Sequence, residues 1–322
     1  MRRDELADVT SLDIATCRAP NVSPETSVVI RALNEGRWLP EVFAALSAQS
    51  YRDFDVVVVD SGSVDRTREI AEESGARIVH LRREDFTFGR ALNIGIREAP
   101  GQLLAILSAH AIPAGPCWLE RLVAPLRLPE TAMVYGRQRA HDVSKFSEAR
   151  DFDRLYPAIP EEAPHDQPFA NNANAAVKRS LWDAHPFDES LTGLEDIEWA
   201  RHWIDRGLCV RYEPNASVVH VHVESWPEVR HRYRREAVAA CCLGLKRASS
   251  IPREVRREIS WCAQDLYSAL RTHRGRGAAG EILRFRYEKT VGIVTGLSLG
   301  RRTEPPGAFR ARQQSMGYPR AT

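Results

Sequence analysis

The chain has 322 residues, 43% of them hydrophobic, and a formal net charge of +2. That much apolar material can build a sizeable core, which excludes a disordered or fibrous chain. No apolar run reaches membrane-spanning length, and the start Met1-Arg2-Arg3-Asp4-Glu5 lacks the apolar stretch of a secretory signal, so a cytoplasmic protein is expected.

Residues 1–26 show no sustained periodicity and read as an N-terminal arm ending in Ala19-Pro20-Asn21-Val22-Ser23-Pro24. Ser27-Val28-Val29-Ile30 predicts a first strand, and Leu39, Val42, Phe43 and Leu46 follow at helical spacing. Asp55–Asp60, apolar on both faces, predicts a strand inside a parallel sheet covered by helices. A helix opens at Asp65-Arg66-Thr67, followed by a strand at Arg77–Leu81, a helix at Ala91–Ala99 and a strand at Leu103–Leu107. Beyond Pro113 come a helix at Trp118–Leu126, a strand near Met133-Val134-Tyr135 and an irregular Pro-rich stretch, Tyr156–Pro168, long enough for a functional loop. Ala175-Ala176-Val177 looks strand-like, Glu195–Arg206 reads as a helix and Val218–Val223 as a strand. Trp226 to about Arg247 and Pro252 to about Arg271 read as basic amphipathic helices.

This alternation predicts an α/β fold with a doubly wound, mostly parallel sheet and a C-terminal helical extension. Ligands of such sheets gather beyond the strand carboxyl ends, here Ala32–Glu35, Asp60–Ser63 and Ser108–Ala111. Charge divides unevenly along the chain. Residues 226–322 hold 20 Lys/Arg against 8 Asp/Glu, whereas the other 225 residues hold 25 against 35. The basic extension therefore either faces something acidic, such as a membrane surface or lipid-phosphate acceptor, or pairs with acids and water. Six scattered cysteines without a C-x-x-C pair read as reduced and structural.

Four segments, Val28–Glu35, Val58–Thr67, Phe88–Gly95 and Gly193-Leu194-Glu195-Asp196, resemble in order and spacing the family 2 glycosyltransferases of the GT-A type, over about residues 27–224. The resemblance extends to bacterial polysaccharide and rhamnosyl-type transferases. It implies a Rossmann-like GT-A domain at 27–225 and a basic helical extension at 226–322 for dimerisation or a membrane surface. It also implies an inverting transfer from a nucleotide-diphosphate sugar, UDP- or dTDP-linked by preference, to a hydroxyl of a glycan, lipid-linked glycan or small molecule. Nucleotide-sugar contacts fall on Arg31, Asn34, Glu35, Asp60, Ser61, Gly89, Arg90, Asn93, Ser108 and Ala109. Asp60 either selects the base or only caps Ser61-Gly62-Ser63. Arg90, near a helix start, is the favoured phosphate partner, with plain solvent exposure as the alternative. For Arg31 a salt bridge to Glu35 is an equal reading.

The acidic Asp-x-Asp element that holds a divalent cation in such enzymes is replaced by Ser108-Ala109-His110. By the resemblance His110 ligates the cation, Mn2+ in preference to Mg2+, or bonds a phosphate with no metal at all. His220 and His222 alternate on a strand and share a face, so either could join it, with His222 preferred by its place before Glu224-Ser225. Of the Glu195-Asp196 pair, the resemblance makes Asp196 the general base and leaves Glu195 to hold the acceptor or an arginine. Asn172 and Asn174 are the acceptor-site candidates, or turn formers. A nucleotidyltransferase and a non-catalytic nucleotide-sugar-binding or scaffold protein are the competing readings. The first lacks its Gly-rich phosphate loop, and no nucleic-acid reading motif is present.

Overall fold

In the computed structural model, residues 23–159, 169–271 and 277–300 are described. The predicted arm up to Asn21, the residues 160–168 of the Pro-rich stretch and the tail beyond 300 lie outside the described residues. The strand predicted from Ser27 runs as β1 (Thr26–Ala32), because Val28, Val29 and Ile30 favour extended backbone and are buried on both faces. Three more parallel strands flank it in the predicted βαβ manner. After α1 (Leu39–Ser47) comes β2 (Phe54–Asp60), after α2 (Thr67–Glu73) β3 (Arg77–His80), and after α3 (Phe88–Glu98) β4 (Leu103–Ser108). A short edge strand β5 (Ala111–Pro113), α4 (Trp118–Val123), β6 (Thr131–Ala140), α5 (Phe146–Leu155), β7 (Asn174–Lys178), α6 (Arg179–Ala184), α7 (Glu195–Ile204) and β8 (Cys209–His220) complete this unit.

The eight strands form one sheet in the order β3-β2-β1-β4-β7-β6-β8-β5. The β1–β4 strands and the β6–β8 pair are parallel, while β7 and β5 run antiparallel to their neighbours. Strand periodicity separates two cores. Val28, Ile30, Val56, Val58, Ala105 and Leu107 pack on one face against α1, α2 and α4, and Val29, Val57, Val59, Leu104 and Ile106 pack on the other against α3, α6 and α7.

Two boundary differences from the sequence reading bear on the site. The strand predicted at Val218–Val223 begins at Cys209 and ends at His220, so His222 stands beyond the strand end. The α3 helix starts at Phe88 rather than Ala91, because the hydroxyl of Thr87 accepts the backbone N–H of Arg90 and caps it.

The chain divides between Val223 and Glu224 into two units. The second unit holds α8 (Trp226–Cys242), α9 (Ile251–Arg271) and α10 (Ala279–Gly300). Ser225 and Glu228 form a reciprocal cap at the start of α8. Glycines on α10 let its backbone approach α8: a Cβ at Gly296 would come within 2.4 Å of the Arg234 carbonyl oxygen, and one at Gly292 within 2.5 Å of that of Arg230. Buried charges are paired within the unit. Arg286 donates to Asp265 at 2.6 Å and to Glu258 at 2.9 Å, and Arg230 donates to Glu288 at 2.6 Å. No helix among the described residues is long and apolar enough to cross a membrane.

Candidate active site

The carboxyl ends of three adjacent strands lie in register: Arg31 of β1 is level with Ser108 of β4, and Ala32 with Asp60 of β2. The loops that follow are laced together. The N–H groups of Asn34, Glu35 and Gly36 donate to Ser63, Thr67 and Asp65, and Asn34 accepts from Val64. Asn34 pays for this with a left-handed φ of 57°, a conformation its short amide tolerates. Asp60 is only 2% exposed and accepts the Ser63 N–H at 3.1 Å, while Ser61 Oγ is buried without a hydrogen-bond partner among the described residues.

Next to Ser108, three imidazoles gather. His110 and His220 stack with centroids 5.0 Å apart, His222 lies 4.3 Å from His220, and one ligand atom from each falls within 4.8 Å of the others. Each ring has its Nδ1 against an acceptor: Glu35 Oε1 at 2.6 Å for His110, Gln138 Oε1 at 2.6 Å for His220 and Glu148 Oε1 at 2.7 Å for His222. On a neutral ring such an acceptor favours the Nδ1–H tautomer and turns Nε2 into a lone-pair donor for a cation, the arrangement found around metal-bound histidines; at His110 that Nε2 lies 3.1 Å from Ser108 Oγ. The donor set therefore fits a borderline divalent metal.

A second cluster surrounds the start of α7. Leu194, held at φ 62°, turns the chain so that both Glu195 and Asp196 are buried at the helix N-terminus. Asp196 accepts the N–H of Asn172 at 3.0 Å and of Ile197 at 2.8 Å. Glu195 accepts the Asn172 amide at 3.3 Å and lies 3.6 Å from Arg31, whose guanidinium sits over the Phe88 ring. Burial, reinforced by the like charge of Glu195, raises the Asp196 carboxyl to about 7 against the pull of the two N–H groups and Arg31. Burial pushes Arg31 down, opposed by Glu195 and Asp196. Its Nε and Nη1 have no hydrogen-bond partner among the described residues. One short segment joins the clusters, since Ala173 accepts the Ser108 N–H and Asn172 donates to Asp196.

Residues 27–184 match the model described as glycosyl transferase family 2. The chain carries a glycosyl transferase family 2 domain over these residues. It is 28% identical over 196 residues to the glycosyltransferase AglE of Haloferax volcanii, an alignment spanning 59% of this chain and 64% of AglE, just under two thirds of that protein. It is 27% identical over 227 residues to the O-antigen chain rhamnosyltransferase RfbN of Salmonella typhimurium, covering 67% of this chain and 72% of RfbN. The mannosyltransferase PcManGT of Pyrobaculum calidifontis, solved with GDP-Man and Mn2+, shares the fold with a TM-score of 0.52 at 19% identity, over 94% of this chain and 81% of that one.

Within this family 2 domain the structure brings Arg31, Asp60 and Ser108 to one sheet edge, links Glu35 to His110, and gathers Glu195, Asp196 and Asn172. It corrects three sequence expectations. Arg31 faces Glu195, not Glu35, because Glu35 is taken by His110. Asn93 is not available to a phosphate: its amide is bonded to Phe187, Glu189 and Trp182 and holds the 187–189 loop. Asn174 is not an acceptor contact, since it is fully buried and bonded to Trp118, Arg137 and Ala216. Gly89 also lets α3 approach the 187–189 loop, because a Cβ there would come within 2.6 Å of the Asp188 carbonyl oxygen. The Ala109 side chain lies in the core, leaving only its backbone for a ligand, whereas Arg90 is exposed on α3. Sequence reading missed Gln138 and Glu148, the partners of His220 and His222. Only the β6–β8 register and the unpredicted helix α5 bring them there.

Proposed function

We propose that the chain is an inverting glycosyltransferase that moves a hexosyl or deoxyhexosyl group from a nucleoside-diphosphate sugar, UDP- or dTDP-linked by preference, to a hydroxyl acceptor in glycan or natural-product biosynthesis. The observation that carries this reading is the pair of clusters on one backbone segment, an imidazole triad beside Ser108 and a buried carboxyl of raised pKa beside Asn172. Family membership and a fold neighbour solved with a nucleotide sugar and Mn2+ support the donor class.

Asp196 is the proton acceptor. A carboxyl titrating near neutrality takes the acceptor hydroxyl proton more readily than an ordinary aspartate does. As that proton moves to Asp196, the acceptor oxygen bonds to the anomeric carbon and the bond from that carbon to the diphosphate oxygen breaks on the opposite face. Glu195 anchors Arg31, and Asn172 holds both carboxylates in register. Asp60 and Ser61 flank the base. Arg90, exposed on α3, and Arg31, whose Nε has no hydrogen-bond partner among the described residues, are the candidates for anionic oxygens. His110, His220 and His222 would hold a divalent cation, Mn2+ in preference to Mg2+ because imidazole is a borderline ligand. When bound, that cation supplies charge neutralisation for the departing diphosphate.

The test is Asp196→Asn assayed against a panel of nucleotide sugars and by calorimetry with nucleoside diphosphates. We expect transfer to fall by at least about a hundredfold, with diphosphate affinity within about twofold of the parent. Undiminished transfer would remove Asp196 from the reaction, and loss of nucleotide binding would make it a binding or folding residue instead.

A further inference from the structure

Helix α9 is turned inside out. An ordinary surface helix buries its apolar stripe and exposes its charges. Here Glu254, Glu258 and Asp265, all the acids of α9, are buried and held by Lys246, Lys289 and Arg286. On the adjoining arc lie Val255, Ile259, Cys262, Leu266 and Leu270, spaced three or four residues apart, with Val255, Cys262 and Leu266 half-buried and Ile259 and Leu270 exposed. Ile259 is 66% and Leu270 75% exposed. The next arc carries Arg253, Arg256 and Arg271, all exposed, with Arg271 stacked 4.4 Å over Tyr267. Charge is thus sorted by sign, anions inward and cations outward, with an apolar arc beside the cations.

We propose that this face of α9 docks on an anionic lipid surface, with Ile259, Leu266 and Leu270 entering the acyl boundary and Arg253, Arg256 and Arg271 meeting lipid phosphates. Charge complementarity selects this occupant. A second copy laid stripe to stripe would bring arginines together with no exposed α9 carboxylate to receive them. A phosphate-rich surface supplies that counter-charge to a segment carrying 20 Lys/Arg against 8 Asp/Glu. Arginine stems extend along apolar surface while their heads reach phosphate, and tyrosine suits the same depth. Nothing in this inference depends on the transferase reading.

Flotation of the full chain with vesicles of phosphatidylcholine alone, and with about 30% phosphatidylglycerol, tests it. Partitioning onto the anionic vesicles should be at least ~10-fold stronger than onto the neutral ones. It should drop at least ~10-fold in the double variant Ile259→Gln/Leu270→Gln and in Arg253→Glu/Arg256→Glu, at unchanged helix content by circular dichroism. All these positions are exposed or border solvent, so the fold is retained. No preference for anionic vesicles, or parental binding by either variant, overturns the proposal. So does a dimer in sedimentation that Ile259→Gln/Leu270→Gln dissociates, which would make the face a contact between copies.

Discussion

At the scale of the residue, the functional load falls on side chains whose surroundings oppose their ordinary state. Asp196 keeps its proton to about pH 7, while an unfolded aspartate loses it near pH 4. Between those values the folded protein binds the extra proton, so this group's contribution to stability is present below about pH 4 and lost as pH rises through about 7. Two outcomes follow with opposite signs. Transfer should rise with pH across neutrality as the carboxyl ionises, in a kcat/KM profile. In Asp196→Asn the melting temperature should exceed that of the parent at pH 8, with the advantage shrinking toward pH 5, in scanning calorimetry. Asn174 makes a contrasting case, since its amide joins the Trp118 ring N–H to two carbonyls in the core. Asn174→Ala strands those groups and should cost about 2–4 kcal/mol in urea unfolding, with acceptor KM unchanged in the folded fraction.

At the scale of the element, the parallel half was legible in the sequence because its strands are β-branched or leucine-rich runs alternating with helices α1, α2 and α3. Val56–Val59 and Leu103–Leu107 have few alternatives to burial on both faces. The carboxyl-end loops follow from that topology, and with them the placing of Asp60, Arg31 and Ser108. The mixed half was less readable: β8 begins with exposed or half-exposed residues, Cys209 to Tyr212, and gains strand structure from parallel pairing with β6. Side-chain roles of Asn93, inside the predicted helix, and of Asn174, in an Asn-rich run, were hidden for another reason, since the sequence gives no sign of which way an asparagine amide turns. In the helical unit, α9 and α10 meet through charge. Arg286→Ala would leave Glu258 and Asp265 buried with fewer counter-charges and should destabilise this unit by about 3–5 kcal/mol, read as an earlier loss of helical signal in urea.

At the scale of the whole molecule, two units of opposite charge bias share one chain, the first bearing the proposed transfer site and the second a cation-rich composition. A cation held by the three imidazoles binds the folded state alone, so Mn2+ should raise the melting temperature. At a hundred times its dissociation constant the gain is about 2.7 kcal/mol. Chelation should abolish the gain, and so should His222→Ala, whereas Mg2+ should give less. The two clusters of the first unit are tied by Asn172 and Ala173, one peptide reaching Asp196 and its neighbour reaching Ser108. That strap is two residues long. Slack has almost nowhere to collect along it, so the proton-accepting wall and the wall beside the imidazoles must keep step, and a substitution that displaces either one will be felt as misalignment of the other.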